Sequence, residues 1–185
     1  MVFLKGKSKE AFMKIESSTR NDLEEIFRLY KEATKYQKIK FPENQWPEFS
    51  RNLVVKELEE NRQFKIVIDD QLACVWAVTF SDAEIWEEKN SDPAIYLHRI
   101  ATNPHFRGQN FVAIIVGWAR EFARQHNKDF IRCDTCGHNR KLISHYGKAG
   151  FDFLGIKKLK DPKGLPAHYV DAEVCFFEIA LEKEE

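Results

Sequence analysis

Residues Ile95 to Ala123, IYLHRIATNPHFRGQNFVAIIVGWAREFA, read as a strand that runs through a tight basic turn into a long amphipathic helix. Alternation over Ile95–Thr102 sets Tyr96, His98, Ile100 and Thr102 on one face and Leu97, Arg99 and Ala101 on the other. Neither face is cleanly apolar, which is unusual for a core strand. Asn103-Pro104 ends it, because proline brings no N–H to a ladder and restricts the residue before it. The turn is His105-Phe106-Arg107-Gly108-Gln109-Asn110. In the helix, Phe111, Ile114, Ile115, Trp118, Phe122 and Ala123 recur at helical spacing, with Arg120, Glu121 and Arg124 on the other side.

Such a turn can bind an anion from its own backbone. The first four amides of a helix lack partners inside it and point outward. The helix dipole adds partial positive charge there, and Arg107 adds a full one. The same spacing also suits an ordinary strand-to-helix connection with a surface arginine.

The residues of this stretch resemble motif A of the GNAT superfamily of N-acetyltransferases, in which an Arg/Gln-x-x-Gly-x-Gly/Ala turn cradles the pyrophosphate of acetyl-coenzyme A (acetyl-CoA). Arg107, Gly108, Gln109, Asn110, Phe111 and Val112 occupy the turn, and LHRIATNPHFRGQ looks like the family's fourth strand. A second piece, Asn139 through Tyr146 to Gly150-Phe151, resembles the family's Asn…Tyr…Gly-Phe helix. The resemblance extends more weakly from about Met13 to the C-terminus. Two departures stand out. Asn110 replaces the usual Gly, and a non-glycine residue in left-handed backbone costs roughly 1–2 kcal/mol. Val112 replaces Gly or Ala and adds bulk beside the phosphates. A member with weakened coenzyme A (CoA) binding therefore stays open.

The chain has 185 residues, a length that suits one domain. Residues 1–12 read as a flexible arm and 13–185 as a single GNAT-like domain. Lysine plus arginine and aspartate plus glutamate number 29 each, so charge makes no case for nucleic acid or membrane. Hydrophobic residues make up 43%, with 15 Phe, which argues against disorder. No apolar run approaches a membrane span of roughly 20 residues. The N-terminus lacks a signal-peptide pattern, so the cytoplasm is the expected location. Cys133-Asp134-Thr135-Cys136-Gly137-His138 has the spacing of a redox pair or half a zinc site, but no second Cys/His pair matches it. It reads more simply as a buried strand ending at Cys133, with Cys136 in the loop after it, and no metal site is assigned.

In order, Phe12–Ser17 reads as a strand, and Thr19 or Asn21 caps a helix running to about Ala33 or Lys35. Tyr36–Pro47 is a loop with Phe41 and Trp46, which either cover the core edge or, by the resemblance, help form the acceptor site. Glu48–Glu60 is a second helix. Phe64–Ile68 and Leu72–Phe80 form a hairpin around Asp69-Asp70. Ser81–Pro93 is acidic, either a solvated loop or a rim that attracts a cationic amine. Asp129–Cys133 is a short strand reached by a parallel crossover, and Asn139–Lys148 is a helix stopped at Gly150. Phe151–Leu159 and Val174–Leu181 are strands flanking an Asp161–Pro166 loop. The fold expected is a GNAT-like α/β domain. Its mixed, mostly antiparallel sheet has helices on both faces and a splayed parallel strand pair.

The resemblance implies an acetyl-CoA-dependent N-acetyltransferase in which a primary amine attacks directly in a ternary complex. An amine of pKa near 10.4 is only about one part in a thousand neutral at pH 7, so a proton acceptor is needed. His98 is the candidate base, on the strand beside the expected thioester. It equally suits a histidine hydrogen-bonded within the sheet. Glu84 and Glu87 are weaker options. Tyr146 sits at the family tyrosine that faces the CoA sulfur and is the candidate acid. Backbone of Ile100, Ala101 and Thr102 would meet the oxyanion and the pantetheine arm if the strand bulges or splays there, and Asn139 would contact that arm. Cys133 has no base beside it and is not needed as a nucleophile. The partners expected are acetyl-CoA and an amine, with the protein a monomer or homodimer. The alternatives are a non-catalytic acyl-CoA-binding or regulatory module, and a metal or redox protein built on Cys133 and Cys136.

Overall fold

The computed structural model describes residues 2–4, 11–40, 46–159, 169 and 172–182. Its strands are β1 (Val2–Leu4), β2 (Ala11–Ser17), β3 (Gln63–Ile68), β4 (Gln71–Thr79), β5 (Ala94–Thr102), β6 (Phe130–Cys136), β7 (Asp152–Lys158) and β8 (Glu173–Ala180). The helices are α1 (Leu23–Lys40), α2 (Arg51–Glu59), the single turn α3 (Ala83–Trp86), α4 (Phe111–Gln125) and α5 (Arg140–Lys148). One sheet runs β1-β2-β3-β4-β5-β6-β8-β7. Every neighbouring pair is antiparallel except β5 with β6, which are joined through α4. The expected mixed sheet is thus present. Residues 2–4, read as part of a loose arm, instead pair with Ala11–Met13. Among the described residues, no helix is long and apolar enough to cross a membrane.

The helices cover both faces for reasons visible in their apolar stripes. On one face α4 lays Phe111, Ile115, Val116, Ala119 and Ala123 onto Trp76, Ile95, Leu97 and Ile131. Trp118 closes this layer, with its ring centroid 4.5 Å from Phe64, 5.0 Å from Trp76 and 4.8 Å from Phe122. Aromatic pairs at such spacings add about 0.5–1.5 kcal/mol beyond their area burial. On the other face α1 and α2 bury Leu23, Ile26, Leu29, Tyr30, Val54 and Leu58 against Val75 and Ala101.

Three departures from the sequence reading shape the site. First, α1 continues to Lys40, beyond the expected Ala33–Lys35, and carries Tyr36 beside Arg107, whose guanidinium lies 4.5 Å from the ring centroid. Second, the acidic run Ser81–Pro93 is not a plain loop. Ile85 and Trp86 are buried against Tyr96 and Phe176, which folds the run inward as α3 and a following 3-10 turn. Third, Cys136 ends β6 instead of lying in the loop after it. Phe41, Pro42 and the Asp161–Pro166 turn lie outside the described residues.

Candidate active site

The parallel pair is held only where Ala94–Tyr96 faces Phe130–Arg132. β6 continues to Cys136 against β8, and β5 continues to Thr102 against β4. The two strands therefore splay, and the β6-facing edge of Leu97–Thr102 has no strand partner among the described residues. The gap opens into a groove of about 1280 Å³.

At its mouth β5 carries a bulge. Ala77 faces His98 and Val75 faces Ala101, so Trp76 alone opposes Arg99 and Ile100. Arg99 takes φ +51°, a left-handed conformation that costs a non-glycine residue about 1–2 kcal/mol. One extra residue reverses the alternation. Ile100 packs with Ile95 and Leu97 on the α4 side, while Ala101 joins the α1–α2 side. This corrects the simple face assignment, which placed His98, Ile100 and Thr102 together. The bulge is held from beneath by a buried network. Arg99 donates to Glu57 at close range and, through Nε, to the Tyr30 hydroxyl at 3.4 Å. That hydroxyl also accepts from Gln63 at 2.9 Å.

Across the groove, the turn into α4 has the backbone expected of an anion cradle. Gly108 has φ +87° and Asn110 is left-handed at φ 53°, ψ 44°. Asparagine thus adopts the conformation for which glycine is usual. The amides of residues 108–112 have no backbone partner among the described residues, and Ala113 N–H is accepted by the Asn110 carbonyl at 3.1 Å. Arg107, Val112, Ile100, Thr102, His98, Asn139 and Tyr146 all line the groove. Other expected contacts do not offer side chains. Phe111 is buried in the core and Ala101 beneath the sheet, so each can contribute only backbone. Asn139 caps α5, its Oδ1 accepting from Lys141 N–H at 3.0 Å and Leu142 N–H at 3.2 Å.

Tyr146 stacks on Phe177 with centroids 4.8 Å apart, and burial pushes its phenol well above the ordinary value. It holds its proton at neutral pH. His98 differs from the expectation. Its Nε2 lies 3.3 Å from Thr79 Oγ1 and 3.5 Å from Asp82 Oδ2. Burial first, then the nearby Arg99 and Arg62, push the imidazole down to about 3, so it is neutral and weakly basic at pH 7. Asp82 moves the other way, to about 8, through burial and the charges of Asp134 and Glu84. Asp134 is itself raised to about 6 by burial, against the opposing hydrogen bond from the Tyr169 hydroxyl at 2.7 Å. The sequence reading passed over both aspartates. Asp82 looked like one more charge in an acidic run, although the apolar pair Ile85-Trp86 signals that the run turns inward. Asp134 was hidden inside the Cys-x-x-Cys. Burial raises both thiols, Cys133 well above the usual range and Cys136 to about 12, so each keeps its proton at neutral pH.

A sequence profile described as the Acetyltransferase (GNAT) family matches residues 21–151. The chain belongs to the GNAT acetyltransferase family. It is 28% identical over 120 residues to an uncharacterized N-acetyltransferase, YesJ, of Bacillus subtilis, a match covering 60% of this chain and 67% of that one. A GNAT-family acetyltransferase structure from Listeria monocytogenes superposes with a TM-score of 0.75 at 20% identity, covering 97% of this chain and 100% of that one. The structure of yncA from Salmonella typhimurium, solved with its cofactor acetyl-CoA, superposes with a TM-score of 0.67 at 11% identity, covering 93% of this chain and 95% of that one. In this GNAT chain the splay, the bulge and the α4 turn face one groove.

Proposed function

We propose that this protein transfers an acetyl group from acetyl-CoA to a primary amine by direct attack in a ternary complex. The observation that carries the reading is the unpaired β5 edge past Tyr96, opening toward the free amides of residues 108–112. Acetyl-CoA, when bound, supplies the acetyl group as an activated thioester. The residues present fit such a ligand. The α4 turn and Arg107 offer donors and positive charge to a diphosphate. The free β5 edge can hydrogen-bond an extended amide-bearing arm as another strand would. The bulge at Arg99–Ile100 turns backbone toward the site of a developing oxyanion. Tyr146 holds a proton at its hydroxyl for a leaving sulfur. The amine loses two protons overall: one before attack, and one that replaces the proton given up by Tyr146.

The test is calorimetric titration with acetyl-CoA, followed by thiol release in the presence of a panel of amines. Binding with amine-dependent thiol release is expected. No heat and no thermal shift at millimolar acetyl-CoA would end this reading. Val112, which lines the groove where the family usually has a smaller residue, favours a second one. Tight binding without turnover of any amine would assign an acyl-CoA-binding regulatory module.

A further inference from the structure

Beside the bulge, three groups converge from three segments: Asp82 at the start of α3, His98 on β5 and Asp134 on β6. Their nearest ligand atoms all lie within 4.8 Å of one another. Asp82 is 9% exposed, and its buried Oδ2 has no hydrogen-bond partner among the described residues. A buried carboxylate oxygen without a donor is costly, and the cost is relieved by a cation that also donates hydrogen bonds. We infer that Asp82, Asp134 and His98 form the seat of the acceptor's ammonium group, and that Asp82 receives the proton that frees the amine for attack. This rests on the reading of the groove as a transferase site.

The fit is geometric and electrostatic. Three acceptors around one tetrahedral ammonium stand roughly 4.6 Å apart at charge-assisted hydrogen-bond lengths. The neutral imidazole can accept, as can both carboxylates. The nearby guanidinium groups are already engaged: Arg99 with Glu57, and Arg62 with Glu60 and the Val78 carbonyl. Two carboxylates with no uncommitted cation beside them among the described residues repel a third, that of a ligand. The chemical class selected is therefore a primary alkylamine with no carboxylate on the carbon bearing the nitrogen, in preference to a free α-amino acid. In the proton step an ammonium N–H bond breaks and an O–H bond forms on Asp82. The electron pair stays on nitrogen, and His98, 3.5 Å from the same oxygen, shares the proton. The raised proton affinity of Asp82 suits this task better than that of His98. The charged and titratable groups facing Asp82 are Asp134, Glu84, His98, Tyr96 and Tyr169.

The experiment is calorimetric titration of the full chain, without acetyl-CoA, with butylamine, 1-butanol, norvaline and zinc chloride. Acetyl-CoA binding is measured in parallel, so that loss of the amine site is distinguished from loss of the transferase reading. Butylamine should bind, more tightly as pH rises from 6 to 8.5 and the aspartates ionise. 1-Butanol should not bind, and norvaline should bind more weakly than butylamine. Asp82→Asn and Asp134→Asn should each weaken butylamine binding on the order of 10- to 100-fold, the loss of one charge-assisted hydrogen bond. Glu88→Gln, on the exposed part of the same run, should leave it unchanged. Circular dichroism checks each fold; should Asp82→Asn not fold, Asp134→Asn and the pH series decide. Equal butylamine affinity in the aspartate variants, or none in the wild type at millimolar concentration, overturns the inference. Zinc binding that depends on Asp82 and His98 while butylamine does not bind overturns it in favour of a metal site.

Discussion

Glu57→Gln tests what holds the bulge. Glu57 is 1% exposed and pairs with Arg99, whose side chain is 13% exposed. The second cation near it, Arg62 at 3.9 Å, keeps its own pairing with Glu60. Removing the Glu57 charge therefore strands one buried guanidinium, Arg99, at a residue already in left-handed backbone. Breaking a buried pair from one side costs about 3–5 kcal/mol. In a chain of this size each kcal/mol moves the melting temperature by roughly 2–4 °C, so the expected fall is on the order of 6–20 °C. Scanning calorimetry with urea denaturation measures it. The double variant Glu57→Gln/Arg99→Met should recover much of the loss, because no charge is then left unpaired. A fall below about 1 kcal/mol in the single variant would refute the argument that this pair supports the bulge. Acetyl-CoA binding should weaken along with stability in the single variant, since relaxing the bulge would return Ile100 and Thr102 to the other face of β5.

Arg107→Ala should weaken acetyl-CoA binding about tenfold, as expected for one charge-assisted phosphate contact, with little change in melting temperature; unchanged affinity by calorimetry removes its role at the pyrophosphate. Tyr146→Phe should lower thiol release far more than acetyl-CoA affinity, and equal turnover would remove the proton-donor role. Stability should fall as pH rises from about 6.5 to 8. Across that window folded Asp82, raised to about 8, keeps a proton that its unfolded counterpart has lost; unfolded His98, half-protonated near pH 6.5, opposes this only at the lower end, because the folded imidazole, pushed down to about 3, is neutral throughout. Asp82→Asn should flatten thermal melts over this window, and an unchanged slope would show that Asp82 is not the group responsible.

Much of this architecture is legible in the order of residues because the signals are local. The α4 stripe, the proline after β5, the glycine after α5 and the alternating β8 each act within one element. The family motifs add the turn at Arg107–Val112 and the tyrosine on α5. What escapes is whatever depends on contacts distant in sequence. Glu57 is buried on α2, and the Arg99 that pairs with it lies 42 positions away. Arg132, in what reads as a buried strand, is fully enclosed by Asp92, Glu178 and the Lys89 carbonyl. No periodicity announces either partner set.

The bulge is the instructive case, because its trace lies in the alternation of β5 itself. Read at period two, β5 has no apolar face, which should not happen in the centre of a sheet. Insert one residue after His98 and the contradiction disappears. Ile95, Leu97 and Ile100 fall together on the α4 side, and Tyr96, His98 and Ala101 on the other. A strand whose alternation fails once and then resumes is reporting a bulge, and a bulge beside a helix N-terminus is where backbone can be aimed at a ligand. The same shift separates Ile100 from His98, so in the proposed reaction thioester and amine would approach β5 from opposite sides. On that reading the ammonium seat inferred at Asp82 and Asp134 would collect positive charge away from the diphosphate site proposed at the α4 turn.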